Sequence, residues 1–199
     1  MVDDDHATPP ADRPLRAHAR RNRDALLGAA RDAFAAGEAD IRVEEIARRA
    51  GVGVGTFYRH FSTREAVVEA VYDERVRGMC ARVPALLATD PPHDVLRAFL
   101  YQLIQHAVDS RSMAAALKTL MDLGSPVFNR GRVTMVDTIR QLMAAGVAAG
   151  TIRADITADT VFRAMGGVCA SHGQPGWENA AREVVRLIYD GLRHTAPRS

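Results

Sequence analysis

The chain has 199 residues, 47% of them hydrophobic, with two cysteines and a formal net charge of +2, enough to bury a sizeable core in one or two compact domains. No apolar run approaches the length of a membrane span, and the acidic, proline-bearing start "MVDDDHATPPADRP" lacks the basic and apolar regions of a signal peptide. A soluble cytoplasmic protein with reduced thiols and no membrane partner is therefore expected.

The small net charge hides an uneven distribution. Residues 1–12 carry four aspartates and no base, residues 13–64 eleven arginines against six acids, and residues 65–199 fifteen bases against fourteen acids. The positive excess sits in one N-terminal segment, which is the footprint of a surface that meets a polyanion or of a merely solvated face.

In chain order, residues 1–18 read as a disordered tail or basic arm, with Arg13–Arg23 supplying five arginines and no acid. A first helix then places Ala25, Leu26, Ala29, Ala30, Ala33 and Phe34 on one face and stops at Gly37. A short second helix over 43–50 turns Val43, Ile46, Ala47 and Ala50 inward, and Gly51 follows where a left-handed cap residue belongs. The third helix, about 54–61, stacks Phe57 and Phe61 on its core side with Val54 and Tyr58 on the flank, and leaves Gly55, Thr56, Arg59 and His60 opposite. "STRE" reads as a capping box with Ser62 at the N-cap and Glu65 at N3, so a fourth helix opens near Thr63, passes Val71 and Val76, and ends or kinks at Pro84. Further helices are predicted over 94–109, 113–122, 127–149, 158–171 and 178–193, separated by "TDPP", "DLGSP", "AGTIRAD" and "HGQPG". With neither hairpin signals nor βαβ alternation, the fold class is all-α.

Two short helices joined by a glycine-containing bend form a helix-turn-helix, whose second helix enters the major groove while the first braces it. A glycine early in that second helix removes a side chain where the backbone must come close to DNA. Thr56, Tyr58 and His60 can reach phosphate oxygens, and Arg64 in the first turn of the fourth helix can add a charge-assisted contact.

The stretch "RNRDALLGAARDAFAAGEADIRVEEIARRAGVGVGTFYRHFSTREAVVEAVY" resembles the N-terminal DNA-binding domain of TetR/AcrR-type transcriptional regulators over about fifty residues. The resemblance implies an N-terminal three-helix helix-turn-helix domain over 19–64, followed by a helical effector-binding and dimerisation domain over 65–199. It places Val54, Gly55 and Tyr58 near base edges, and Thr56, Tyr58, His60 and Arg64 on phosphates, with Arg59 on the same exposed face. Arg42 stands where members of the family usually carry a Ser or Thr cap, so its contact to phosphate would be by charge. The function implied is a homodimeric regulator on double-stranded DNA with an inverted-repeat operator, a repressor rather than an activator, released by a small hydrophobic effector.

In the body only "AAGTIRADI" at 148–156 resembles a recurring family connection, the turn before the last two helices, which in the family form a four-helix bundle across a two-fold axis. Ala164, Gly167, Val168 and Ser171 have the small-residue spacing of such an interface, or of a contact within one subunit. Tyr101, Gln105, His106, Met121, Cys169 and Trp177 are candidate pocket liners, or plain core. Cys169 and His172 at i and i+3, with His106, offer at most part of a metal site, so no metal and no cofactor are expected. Phosphate loops, G-x-S-x-G and zincin patterns are missing, and no enzyme is expected. Two rival functions remain, an effector-independent DNA-binding factor and an enzyme housed in the helical body.

Overall fold

The computed structural model describes residues 12–122, 124–170 and 175–193. It is all-α: α1 (Asp12–Ala35), α2 (Val43–Arg49), α3 (Val54–His60), α4 (Arg64–Ala81), α5 (Val83–Leu87), α6 (Pro92–Asp109), a 3-10 turn at Arg111–Met113, α7 (Ala114–Asp122), α8 (Pro126–Ala148), α9 (Ala158–Ala170) and α10 (Trp177–Leu192). Among the described residues no helix is long and apolar enough to cross a membrane. The chain divides into two compact units, Met1–Val71 and Tyr72–Ser199. The division lies within α4, seven residues beyond the expected 64/65 junction, and Val67, Val68 and Val71 in the first two turns of that helix are completely buried.

In the first unit α1 packs on α2 and α3. Leu26, Ala30, Ala33 and Phe34 supply the buried stripe of α1 and meet Ile46, Ala47 and Phe57 in a core with almost no solvent access. Ala25 is exposed, against expectation, because it lies about 140° around the helix from Ala30 at 100° per residue. The expected tail over 1–18 is helical from Asp12, so the arginine run forms the opening turns of α1, while residues 1–11 lie outside the described residues. The cap of α4 also falls one residue later than the sequence pattern indicates. Thr63 Oγ1, and not Ser62, accepts the Ala66 N–H at 3.1 Å, which puts Glu65 at the second helical position. Its carboxylate still sits in the first turn, where the helix dipole favours it.

In the second unit α6 packs on α8 and α10, and α9 on α8 and α10. Leu96, Phe99 and Leu100 of α6 and Ile139 and Leu142 of α8 form its centre. For the five helices predicted over 94–193, the starts, and the ends of α6, α8 and α10, fall within two residues of the predicted segments. Pro84, expected to end the fourth helix, opens α5 at its first turn, where the missing N–H costs nothing.

The connection at 148–156 has a packed geometry. Gly150 takes φ +67°, its N–H meets the Val147 carbonyl at 3.0 Å, and the Thr151 N–H meets the Gly146 carbonyl at 2.9 Å. This drives Ile152 back onto Gly146 so closely that a Cβ there would stand 2.4 Å from Ile152 Cγ1. Arg153 N–H then bonds the Leu192 carbonyl at 2.9 Å, which ties the connection to the end of α10.

Candidate nucleic-acid interface and body cavity

The bend between α2 and α3 is set by backbone hydrogen bonds. Gly51 takes φ +68°, its N–H bonds the Arg48 carbonyl at 3.1 Å, and the Val52 N–H bonds the Ala47 carbonyl at 3.0 Å. This is the two-bond cap that ends a helix through a left-handed residue, a conformation costing an L side chain about 1–2 kcal/mol. Gly53 then caps α3 with its carbonyl, which accepts from Thr56 N–H at 2.8 Å and Phe57 N–H at 3.2 Å.

Phe57 and Phe61 face the core with ring centroids 5.8 Å apart, as their spacing predicts, and the Arg23 guanidinium lies 5.1 Å over the Phe61 ring. The opposite side of α3 faces solvent. Tyr58 is 54% exposed, its ring edge-on to Phe57 at 5.4 Å, so the aromatic base is fixed while the hydroxyl end is free to meet another molecule. Gly55 and Arg59 are exposed, and Val54, Thr56 and His60 are half-buried. A Cβ on Gly55 would meet no atom within 4 Å, and its backbone angles are those of an ordinary helix. Nothing inside the protein requires a glycine there.

Charge on α2 is already committed. Glu45 accepts from Arg48 at 2.6 Å and from Arg49 at 2.7 Å, and Arg49 also pairs with Glu38 at 2.8 Å. The hydrogen bond from Arg48, then that from Arg49, holds the Glu45 carboxyl down at about 2. Arg42 and Arg59, by contrast, are exposed. Arg42 sits at the N-cap of α2 with extended backbone and no side-chain cap bond, as the absence of a Ser or Thr at this position predicts.

Arg64 has a role the sequence does not disclose. Its Nε donates to the Ile41 carbonyl at 3.0 Å and its guanidinium also donates to the Ala39 carbonyl, so it clamps the α1–α2 connection to the first turn of α4. It is half-buried, and two of its donors are committed inside the unit.

In the second unit a cavity of about 770 Å³ is lined by Tyr72, Ala107, Ser110, Leu117, Lys118, Met121, Phe128, Asn129, Arg132, Met135, Phe162 and Cys169. Of the six residues expected to line a pocket, it gathers Met121 and Cys169. Tyr101 and Gln105 line a separate cleft of about 190 Å³. Gln105 and His106 border a third depression of about 280 Å³ beside Arg75. Trp177 is buried, donating its indole N–H to the Val168 carbonyl at 2.8 Å, and so fastens α10 to α9.

His106 packs tilted against Tyr72 with ring centroids 5.5 Å apart, and burial, aided by the Arg75 charge and opposed by Asp109, pushes its imidazole down to about 4. Burial, aided by the charges of Asp73 and Cys80, pushes the Tyr72 phenol up to about 12, which keeps it a neutral hydrogen-bond donor. Burial likewise raises the Cys169 thiol, which favours its neutral form. Tyr72, Ser110, Phe128, Met135 and Phe162 were missed by sequence reasoning. They come from three helices, α4, α8 and α9, and the end of α6, and no local spacing joins them.

Of the residues expected at a subunit interface, Ala164 and Gly167 on α9 are exposed, Val168 is half-buried, and Ser171 lies outside the described residues. A Cβ on Gly166 or Gly167 would meet open space. On α10 Leu187 is 71% and Val184 38% exposed, two apolar side chains one turn apart. The doubled apolar pattern of "EVVRLIY" is the sequence signal for them, since Val185 and Tyr189 already fill the core face.

A capped two-helix bend, a buried Phe57–Phe61 pair and a polar, solvent-facing second helix define a helix-turn-helix DNA-binding protein. Residues 26–71 match the family model described as bacterial regulatory proteins, tetR family, and residues 91–194 match that of the transcriptional regulator SbtR-like, C-terminal domain. The chain is similar to a solved TetR transcriptional regulator from Streptomyces coelicolor, at 39% identity over 87% of this chain and 99% of that one, with a TM-score of 0.71. It is also similar to a TetR transcription regulatory protein from Mycobacterium vanbaalenii, at 35% identity over 91% of this chain and 100% of that one, with a TM-score of 0.67. An HTH-type transcriptional regulator of Staphylococcus aureus (strain MRSA252) is 33% identical over 94 residues, 44% of this chain, and the chain spans about half the length of that relative, 49%. The chain belongs to the TetR family of DNA-binding transcriptional regulators.

Proposed function

We propose that this regulator is a repressor that binds an inverted-repeat operator as a homodimer and leaves it when a small, largely apolar effector occupies the body cavity. The observation that carries the reading is the α3 surface. Gly55 leaves an opening that no internal packing calls for, and Tyr58, Arg59, Thr56 and His60 surround it with groups suited to phosphates and base edges. Val54 and Gly55 would act there by methyl contact and close backbone approach, and Arg42 by charge.

One such helix contacts few base pairs, so useful specificity needs two on a two-fold axis with half-sites about one turn, or a multiple, apart. The exposed Ala164, Gly167, Val184 and Leu187 support α9 and α10 as the surfaces that pair. A 100-fold loss of operator affinity needs an effector that favours the DNA-incompetent state by about 2.7 kcal/mol, and operator DNA then weakens effector binding by the same factor.

Footprinting the purified protein on DNA flanking its own coding sequence tests the reading. Protection of two symmetric half-sites is expected. An asymmetric single half-site, or a protein monomeric at micromolar concentration, would contradict it.

A further inference from the structure

Ser110 closes α6 at its C-cap, is only 8% exposed, lines the large cavity, and has a buried Oγ with no hydrogen-bond partner. A hydroxyl withdrawn from water and left unpaired is an uncompensated cost, and a native fold keeps few of them without a use. The other buried polar side-chain atom in that condition among the described residues, His93 Nδ1, belongs to a residue that does not line the cavity. Around Ser110 the walls are apolar and aromatic. The Tyr72 ring stacks at 4.6 Å on Phe128 and lies so close to α8 that a Cβ on Gly131 would stand 3.0 Å from its Cε1, which fixes the ring in place.

Two cations also line the cavity, but each faces an acid. Lys118 pairs with Asp122 at 2.9 Å, and Arg132 lies 3.9 Å from Asp159. An anionic ligand would therefore meet cations that already face acids, whereas a neutral one needs no counter-charge and must only replace the hydration of its polar group. Flat apolar groups gain from the ring and sulfur walls, and the cavity is in the size range of sites for drug-sized molecules, about 300–1,000 Å³.

We infer that this cavity takes a neutral, ring-bearing, largely apolar molecule with a single hydroxyl-type group, and that Ser110 Oγ is the hydrogen-bonding anchor for that group. The inference deepens the effector reading above and rests on it for its regulatory meaning, though not for the binding itself.

The test compares 4-butylphenol, butylbenzene and 4-butylbenzoate by isothermal titration against the full chain, with operator affinity measured in parallel. The phenol should bind at least tenfold more tightly than the hydrocarbon and more tightly than the carboxylate. Ser110→Ala should erase the tenfold preference while leaving butylbenzene affinity unchanged and the ligand-free melting temperature no lower than wild type. Ser110→Thr, which keeps the hydroxyl, should retain the preference and guards against a folding defect in the first variant. A carboxylate that binds as well as the phenol, a preference that survives Ser110→Ala, or no binding by any of the three would overturn the assignment. A phenol that binds through Ser110 yet leaves operator affinity unmoved would support the ligand class and contradict the effector reading.

Discussion

The two units of this chain bury comparable kinds of residues but organise them differently. In the first, function lies on an outer surface whose geometry is set by local rules: a left-handed Gly51, a capped α3 and a phenylalanine pair at i,i+4. In the second, the feature of interest is a cavity lined by side chains from α4, α6, α7, α8 and α9. A surface made from one short helix can be read residue by residue along the chain. A cavity is what remains when long helices fail to fill the space between them, and it is set by packing at a distance.

The largest effect expected from breaking this contrast is at Phe57, completely buried in the first unit. Phe57→Ala should cost the DNA-binding unit roughly 3–5 kcal/mol by leaving a cavity in a small core. Hydrogen exchange should show protection lost over 26–71 and retained over 92–192. Equal loss in both would mean that the units unfold as one.

In the second unit the matching lesion is an added atom. Gly146→Ala would put a Cβ 2.4 Å from Ile152 Cγ1, force that side chain to shift, and should cost roughly 1–3 kcal/mol in chemical denaturation. A neutral or stabilising result would show that the connection after α8 yields freely.

The half-buried imidazole of His106 gives the body a pH signature of its own. Because the folded state holds His106 near 4 and the unfolded chain near 6.5, the unfolded state binds more protons between those values. Stability should therefore be unaffected above pH 7 and fall by about 1–2 kcal/mol on going from pH 7.5 to pH 5. His106→Gln should flatten that fall.

How much could be read beforehand follows from these physical scales. Gly51, Phe57, Phe61 and the helix ends of the body were legible because caps, turns and the 3.6-residue period act within a few positions. Ser62 fits the cap pattern as well as Thr63, which supplies the cap, and only backbone geometry separates the two hydroxyls. Tyr101, Gln105, His106 and Trp177 were polar or aromatic residues in the right region, but being in the region did not place them in the cavity. Ser110 and Tyr72 could be found only once the helices had packed.

Arg64 marks the border between the two kinds of information. The motif assigns it to phosphate, whereas its donors hold the Ile41 and Ala39 carbonyls. Arg64→Ala should lower the stability of the DNA-binding unit by about 1 kcal/mol. If the clamp is its whole role, the slope of operator affinity against salt should stay as in wild type. A slope lower by about one unit would return it to the phosphate backbone.

The central claim, that the open face of α3 is kept clear for DNA, is tested most directly by Gly55→Leu. The position has ordinary helical angles and empty space around it, so a side chain fits and should raise helix propensity by about 1 kcal/mol. A melting temperature at or above wild type is expected together with an operator affinity at least about tenfold weaker, equivalent to about 1.4 kcal/mol. A stable variant that binds its operator as tightly as the wild type would contradict it.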